Sequence, residues 1–236
     1  MPEKTDNLEE AREKYPPIAR ILRETYGYPE WRQHLPPVDE LVSTILSQNT
    51  NDTNRDVAFD ALKARFPTWE AVRDADTEAV VEAVRPAGLA NQKGPRIQAA
   101  LRHLTETQGE ITLDFLEGMS VEEAKAWLVS LDGVGPKTAA IVLLFAFNLP
   151  AFPVDTHVHR VTGRLGLIGP KVSAERAHDI LERIAPPEDY YPLHLNLIRH
   201  GREVCHARTP QCAVCPLQGH CDYYSAVSTQ RPAASR

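Results

Sequence analysis

Apolar residues recur at helical spacing along most of the chain. Ile18, Leu22 and Tyr26, for example, follow one another at four-residue steps, which places them on one face of a helix. Sustained alternation of apolar and polar residues, the mark of a half-buried strand, does not occur. The pattern therefore predicts an all-α protein of roughly ten helices. The predicted helices are 8–26, 39–46, 55–66, 77–85, 95–105, 121–131, 136–147, 156–165, 173–185 and 191–204.

Local signals mark where several of these helices begin and end. Ser120 and Glu123 fit a capping box at the start of helix 121–131. Pro86 and Gly88 are expected to end helix 77–85. The polar ends of the chain, 1–10 and 228–236, are expected to be frayed.

The segment LDGVGPKTAAIVLLFAF begins at Leu131 and combines a glycine-rich turn with a strongly apolar helix. The turn Asp132-Gly133-Val134-Gly135 lies between two predicted helices, which is the pattern of a helix–hairpin–helix. Pro suits the first position of the second helix, and the free N–H groups of the turn form a phosphate site at the positive end of the helix dipole. Gly133, Val134 and Gly135 are therefore candidate contacts to a DNA backbone. A glycine turn that only connects two core helices is the alternative.

Lys137 lies one residue into this second helix, whose later residues are expected to be buried on all sides. A cation is disfavoured at the positive end of a helix dipole, and burial would act in the same direction. Both effects favour the neutral amine, which is a nucleophile and can form a Schiff base. The alternative is a solvated lysine at a helix end.

Asp155, in PVDTHVHRV, is expected to be the N-cap of helix 156–165. A carboxylate held by helix N–H groups is favoured in its ionised form and could stabilise a sugar cation. His157 and His159 lack further ligands at a spacing that suits a metal ion. We therefore interpret both histidines as structural or as facing a phosphate.

The four cysteines fall in one short stretch with the spacing C-x6-C-x2-C-x5-C: Cys205, Cys212, Cys215 and Cys221. Two disulfides are unexpected in an intracellular chain of this size. Four thiolates suit either structural Zn²⁺ or a [4Fe–4S] cluster. The spacing predicts a metal centre and leaves these two metals open.

Charge and composition agree with a soluble DNA-binding protein only when the charge is examined by segment. The 236 residues are 42% hydrophobic and 25% charged, with a net charge of −6. Segment 67–136 holds 6 Lys+Arg against 12 Asp+Glu, whereas 137–171 holds 4 against 1, so a local basic face is possible. Apolar runs of about ten residues are too short for a bilayer, and the first residues do not resemble a signal peptide. We expect a cytoplasmic, soluble protein without membrane contacts.

Three stretches together resemble the endonuclease III-type enzymes of the helix–hairpin–helix DNA glycosylase superfamily. These are LDGVGPKTA, PVDTHVHRV and CHARTPQCAVCPLQGHC, and the likeness extends from about Leu41 to Cys221. The resemblance implies two helical domains: a six-helix barrel over 30–149, and a cluster domain formed by 1–29 and 150–236. It favours [4Fe–4S] at the four cysteines and implies that DNA lies across the cleft between the domains.

The resemblance also implies a reaction. Such enzymes flip a damaged base out of duplex DNA and cut its glycosidic bond. By that analogy Lys137 attacks the sugar, forms an imine and cleaves the strand 3′ to the abasic site by β-elimination, with Asp155 assisting. The implied substrates are oxidised pyrimidines, the implied partner is double-stranded DNA with damaged bases or abasic sites, and a nucleoid-associated monomer of a prokaryotic type is expected.

Further contacts follow from the family pattern, with two departures from it. Asn49 stands where the family has a glutamine wedge, with Gln48 adjacent, and Leu89 stands at the leucine wedge. The two predicted wedge loops are 47–52 and 88–91. The loop after the first cysteine is less basic than in the family, with Arg208 as its one fully charged cation, which predicts a shallower salt dependence of binding.

Two other functions compete with this interpretation. Adenine-removing, monofunctional glycosylases of the superfamily lack the hairpin lysine, so Lys137 argues against that class. A damage-binding protein without catalysis would use the hairpin only as a phosphate clamp. The presence of both Lys137 and Asp155 argues against the second.

Overall fold

A computed structural model describes residues 8–229, and its regular structure is helical throughout that range. The predicted all-α class is confirmed. Of the ends expected to be frayed, 8–10 and 228–229 are helical, and the rest lies outside the described residues. In the described range, none of the helices is both long and apolar enough for a membrane span.

Between residues 8 and 229, twelve α-helices are joined by short 3-10 turns and loops. They are α1 (Leu8–Tyr26), α2 (Pro37–Ser47), α3 (Asp52–Arg65), α4 (Trp69–Asp74), α5 (Thr77–Val84), α6 (Ala90–Gln108), α7 (Val121–Val129), α8 (Pro136–Phe147), α9 (Thr156–Leu165), α10 (Ala174–Ile184), α11 (Tyr190–Glu203) and α12 (Asp222–Thr229). The chain divides into two compact units: the central unit, Arg32–Leu149, and the terminal unit, which combines Met1–Trp31 with Pro150–Arg236.

The central unit is built around α2, α6 and α8. Helix α2 packs against α3 and α8, and α5 packs against α6. A Cβ atom added at Gly94 would lie 2.9 Å from the Cγ2 atom of Val81 and 3.3 Å from its backbone. Glycine at this position therefore lets α5 and α6 approach closely.

The terminal unit packs α1 and α9 against α11. A buried extended segment precedes α9, and side chains from α10 and α11 bind its carbonyl groups. The Nδ1 atom of His178 lies 2.7 Å from the Phe152 carbonyl oxygen, and that of His194 lies 2.9 Å from the Pro153 carbonyl oxygen. These contacts fix the backbone that leads into Asp155.

Several predicted helix boundaries are wrong. The helix predicted at 95–105 begins at Ala90, so Pro95 lies inside α6 rather than at its first position. Because proline lacks an N–H group, the helix gives up one hydrogen bond there but continues. Asp52 already belongs to α3, whose N-cap is Asn51, and α4 and α12 were not predicted.

Candidate functional site

The helix–hairpin–helix is present in the central unit as α7, a tight turn and α8. Gly133 has a φ of +76°, and a Cβ atom there would lie 2.5 Å from the Cδ atom of Arg96. Glycine is therefore required both by the backbone conformation and by the arginine side chain that crosses it. Val134 is buried, and its N–H group donates to the Leu131 carbonyl at 3.1 Å.

Gly135 meets a different requirement. It is the N-cap of α8, with φ −98° and ψ 178°, a conformation open to any residue, and a Cβ atom there would meet nothing within 4 Å. The protein itself does not need a glycine here. A bare backbone at the N-terminus of α8 instead leaves room for a ligand close to the free N–H groups.

Lys137 is exposed, so the expected contribution of burial is wrong. The residue lies in the first turn of α8, before the helix enters the core at Thr138. The following residues to Phe147 are all buried or half-buried, as predicted. The lysine side chain is thus exposed at the start of a helix whose remaining residues are packed in the core.

Gln48 and Asn49, the two neighbouring wedge candidates, have different environments. The half-buried Gln48 donates from Nε2 to the Gly133 carbonyl at 2.8 Å and approaches the Thr138 hydroxyl at 3.4 Å. Asn49 is exposed and has a φ of +53°. Gln48 therefore supports the hairpin, and Asn49 is the residue presented to solvent.

Leu89 is the apolar wedge candidate and is exposed over 49% of its surface. It has a left-handed backbone conformation, with φ +49°, directly before α6. The predicted loop 88–91 is shorter than expected, because Ala90 and Asn91 already belong to α6. Exposure of a leucine at the tip of such a short loop agrees with a role in contacting a partner.

Asp155, in the terminal unit, is the N-cap of α9, as predicted. Its Oδ1 atom accepts a hydrogen bond from the Val158 N–H group at 2.7 Å. His157 lies against Gly201 of α11, and its Nδ1 atom lies 3.0 Å from an Arg160 guanidinium nitrogen. His159 approaches the Val172 carbonyl at 2.8 Å through Nε2. These contacts give both histidines a structural role.

The four cysteines line one cavity in the terminal unit, together with Arg164 and His200. None of these four cysteines forms a disulfide. Burial raises the pKa of Cys215 and of Cys221, backbone N–H groups oppose this effect, and the neighbouring cysteines add a smaller increase. Thiolates at these positions therefore need a cationic partner.

The cavity residues fit an iron–sulfur cluster. An Arg164 nitrogen donates to the Cys205 sulfur at 3.2 Å, and the same guanidinium binds the carbonyl oxygens of His206 and Ala207. The arginine thus lowers the cost of thiolate charge and fixes the loop after the first cysteine. When bound, a [4Fe–4S] cluster supplies four iron–thiolate bonds that link Cys205, Cys212, Cys215 and Cys221. Arg208, in the same loop, is exposed.

Comparisons with known proteins agree with this arrangement. Residues 42–187 match the family described as HhH-GPD superfamily base excision DNA repair protein, and residues 205–221 match the iron–sulfur binding domain of endonuclease III. Endonuclease III of Thermotoga maritima is 34% identical over 208 residues, which cover 88% of this chain and 93% of the relative. Endonuclease III of Sulfolobus acidocaldarius is 33% identical over 186 residues, covering 78% and 81%.

Two solved structures of endonuclease III bound to DNA are similar to this chain over most of its length. A trapped endonuclease III–DNA covalent intermediate superposes with a TM-score of 0.79 at 27% identity, covering 92% of this chain and 98% of that one. A non-covalent endonuclease III–DNA complex gives a TM-score of 0.80 at 26% identity, covering 93% and 99%.

The chain belongs to the HhH-GPD superfamily of base excision DNA repair proteins. Within it, the protein is an endonuclease III-like DNA glycosylase with abasic-site lyase activity and a [4Fe–4S] centre.

Proposed function

We propose that the protein removes oxidised pyrimidines from double-stranded DNA and cleaves the strand 3′ to the resulting abasic site through a Schiff base on Lys137. The observation that carries this proposal is the exposed Lys137 amine in the first turn of α8, two residues after Gly135. The bare N-terminus of α8 would bind a backbone phosphate. A phosphate held there would bring its sugar to the lysine.

The proposed reaction proceeds in two stages. The neutral Nζ atom of Lys137 attacks C1′ of the sugar, and the bond from C1′ to the base breaks, so the base leaves with the electron pair and is protonated. Ring opening gives an iminium ion. Loss of a C2′ proton then expels the 3′ phosphate by β-elimination, and water hydrolyses the imine to release the lysine.

Asp155 would stabilise the cationic sugar that develops as the base leaves. Its carboxylate accepts a hydrogen bond from the Val158 N–H group, so the orientation of its oxygen atoms is already fixed before the reaction begins. We propose that Asn49 and Leu89 fill the space left by the extruded base, since both are exposed at loop tips. Apolar side chains are known to unstack base steps in this way.

Borohydride trapping on a duplex with one abasic site tests the proposal. Borohydride reduces an imine to a stable amine, so the wild-type protein should give a covalent protein–DNA adduct. Lys137→Gln should give none. The control is Lys171→Gln, which removes another exposed lysine and should trap like wild type. An adduct that persists in Lys137→Gln would refute the assignment of the nucleophile.

A further inference from the structure

Lys93 is a fully buried lysine in the central unit, with 1% of its surface exposed. It lies in the first turns of α6, and its backbone N–H group donates to the Leu89 carbonyl at 3.0 Å. Its Nζ atom donates to the Leu46 carbonyl at 2.8 Å and to the Ala87 carbonyl at 2.7 Å. One ammonium group therefore joins two segments that are about forty residues apart in the sequence.

Both acceptors lie at the C-terminal ends of helical segments. Leu46 is in the last turn of α2, and Ala87 ends the 3-10 turn Arg85–Ala87. Carbonyl groups at helix C-termini carry partial negative charge and stabilise a cation. Burial lowers the pKa of Lys93, and the two carbonyl oxygens accept the hydrogen bonds of its buried ammonium group.

The two carbonyl groups that Lys93 binds lie shortly before the two wedge candidates in the sequence. Asn49 follows Leu46 by three residues, and Leu89 follows Ala87 by two. Both wedge candidates have positive φ, at +53° and +49°. Asparagine tolerates this left-handed conformation, whereas a leucine adopts it only where the surrounding structure enforces it.

We propose that Lys93 is a positioning residue that holds the tips of both loops, Asn49 and Leu89, at the spacing needed to enter the DNA stack together. This inference rests on the wedge role in the proposed function. If the lysine only stabilised the fold, its loss would affect all activities of the protein equally. If it positions the loops, its loss would affect base displacement more than DNA binding.

Gln98 supplies a matched control on the same helix. It is fully buried, and its Nε2 atom donates to the carbonyls of Val72 and Ala75 at 3.0 and 2.9 Å. Gln98→Met therefore removes buried side-chain hydrogen bonds to backbone carbonyls, as Lys93→Met does, together with the bond that the Thr77 hydroxyl donates to the Gln98 Oε1 atom. The carbonyls that it releases belong to α4 and its C-cap rather than to the segments before the wedge loops.

The experiment uses the full-length holoprotein and a duplex that carries a stable abasic-site analogue opposite 2-aminopurine. The fluorescence of 2-aminopurine rises when this orphan base is unstacked, and anisotropy on the same duplex gives the dissociation constant. We expect the Lys93→Met variant to lose most of the fluorescence rise at saturating protein, with less than about a threefold change in affinity. Single-turnover excision of an oxidised pyrimidine should fall roughly 10–100-fold, as expected for loss of positioning. Gln98→Met should retain the rise.

The remaining outcomes are also decisive. Equal losses in the Lys93 and Gln98 variants, or a full fluorescence rise in Lys93→Met, would overturn the positioning role. Lys93→Gln keeps an N–H donor at the site but removes the ammonium group, so it serves if Lys93→Met does not fold and should lose part of the fluorescence rise; an unchanged rise would overturn the positioning role. A wild-type protein that gives no fluorescence rise would refute the wedge itself and this inference with it, whereas trapping through Lys137 would be unaffected.

Discussion

The Nε2 atom of Gln48 donates a hydrogen bond to the Gly133 carbonyl oxygen at 2.8 Å. The loop after α2 and the turn of the helix–hairpin–helix are therefore joined by a side chain from one to the backbone of the other. This contact also occupies Gln48, whereas the neighbouring Asn49 is exposed.

Removal of the Gln48 amide should loosen the hairpin. We expect Gln48→Ala to lower the free energy of unfolding by about 1 kcal/mol, because a part-buried carbonyl loses its donor. Binding should weaken alike on intact and lesion-containing duplexes, since a phosphate contact reads no sequence. Asn49→Ala should leave stability unchanged and reduce only lesion-dependent base displacement. Urea unfolding and fluorescence anisotropy measure both effects, and reversed roles for the two residues would contradict the assignment.

Substitutions of the two hairpin glycines should distinguish an effect on folding from an effect on ligand binding. Gly133→Ala forces a Cβ atom onto Arg96 and onto a positive φ, so it should destabilise the protein by roughly 1–3 kcal/mol. Gly135→Ala meets open space at an ordinary φ and should destabilise the protein less than Gly133→Ala, by about 0.5 kcal/mol for the less favourable N-cap residue. It should still weaken DNA binding, because a methyl group obstructs the approach of a phosphate. Wild-type affinity in a folded Gly135→Ala variant would argue against a phosphate at this turn.

Asp155 combines a structural and a proposed chemical role, and two substitutions distinguish them. Asp155→Asn retains an oxygen that can accept from the Val158 N–H group, so stability should change by less than about 0.5 kcal/mol, whereas Asp155→Ala loses the cap and about 1 kcal/mol. Both variants lack the carboxylate and should excise bases far more slowly than wild type. Single-turnover rates and thermal melting check this, and near-normal excision by Asp155→Asn would exclude a catalytic carboxylate.

The sequence predicted the structure best where a feature depends only on neighbouring residues in the chain, as helix caps do. The capping box at Ser120, the N-cap at Asp155 and the buried helix after Lys137 follow from local chemistry, and the structure confirms each. It failed at Pro95, where a proline typical of helix starts lies inside α6. It also failed on the burial of Lys137, since exposure in a first turn depends on neighbours distant in sequence.

The residues that sequence reasoning missed act through contacts between segments far apart in the chain. Arg96 crosses Gly133, and Arg164 binds the loop after Cys205. Lys93 stands in an ordinary helical pattern, and its two carbonyl partners are 47 and 6 residues away. No local spacing encodes such partners. A lysine among the apolar positions of α6 is the one signal that could have identified it.

Loss of one cluster ligand should release the segment that the metal centre organises. Cys221→Ala should abolish the broad visible absorbance of the iron–sulfur centre and its bound iron, because the cluster needs four thiolates. Val214→Ala lies in the same segment, replaces a residue with 69% of its surface exposed, and should retain both. Iron quantification and visible spectroscopy provide the measurement. A Cys221→Ala protein with full iron content would contradict the ligand assignment.

His34 should make the stability of the central unit depend on pH. A hydrogen bond between its Nδ1 atom and the Glu40 carboxylate, 3.0 Å long, raises the pKa of His34, while burial and the nearby Arg55 and Arg32 oppose this effect. Since the folded pKa lies above the unfolded value of about 6.5, the stabilisation is complete below that pH and is lost as the pH rises through the folded pKa. His34 is half exposed, at 53% of its side chain, so the contribution should be roughly 0.2–1 kcal/mol.

Urea unfolding of the wild type and of His34→Gln measures this contribution. The difference in unfolding free energy between the two proteins should be larger at about pH 6 than at about pH 8, because a larger fraction of the wild-type histidine is charged at the lower pH. Added salt should reduce the difference at about pH 6, since the pair is partly exposed to solvent. A difference that grows towards high pH would mean that the neutral histidine makes the stabilising contact, through the ring packing of His34 against Phe145.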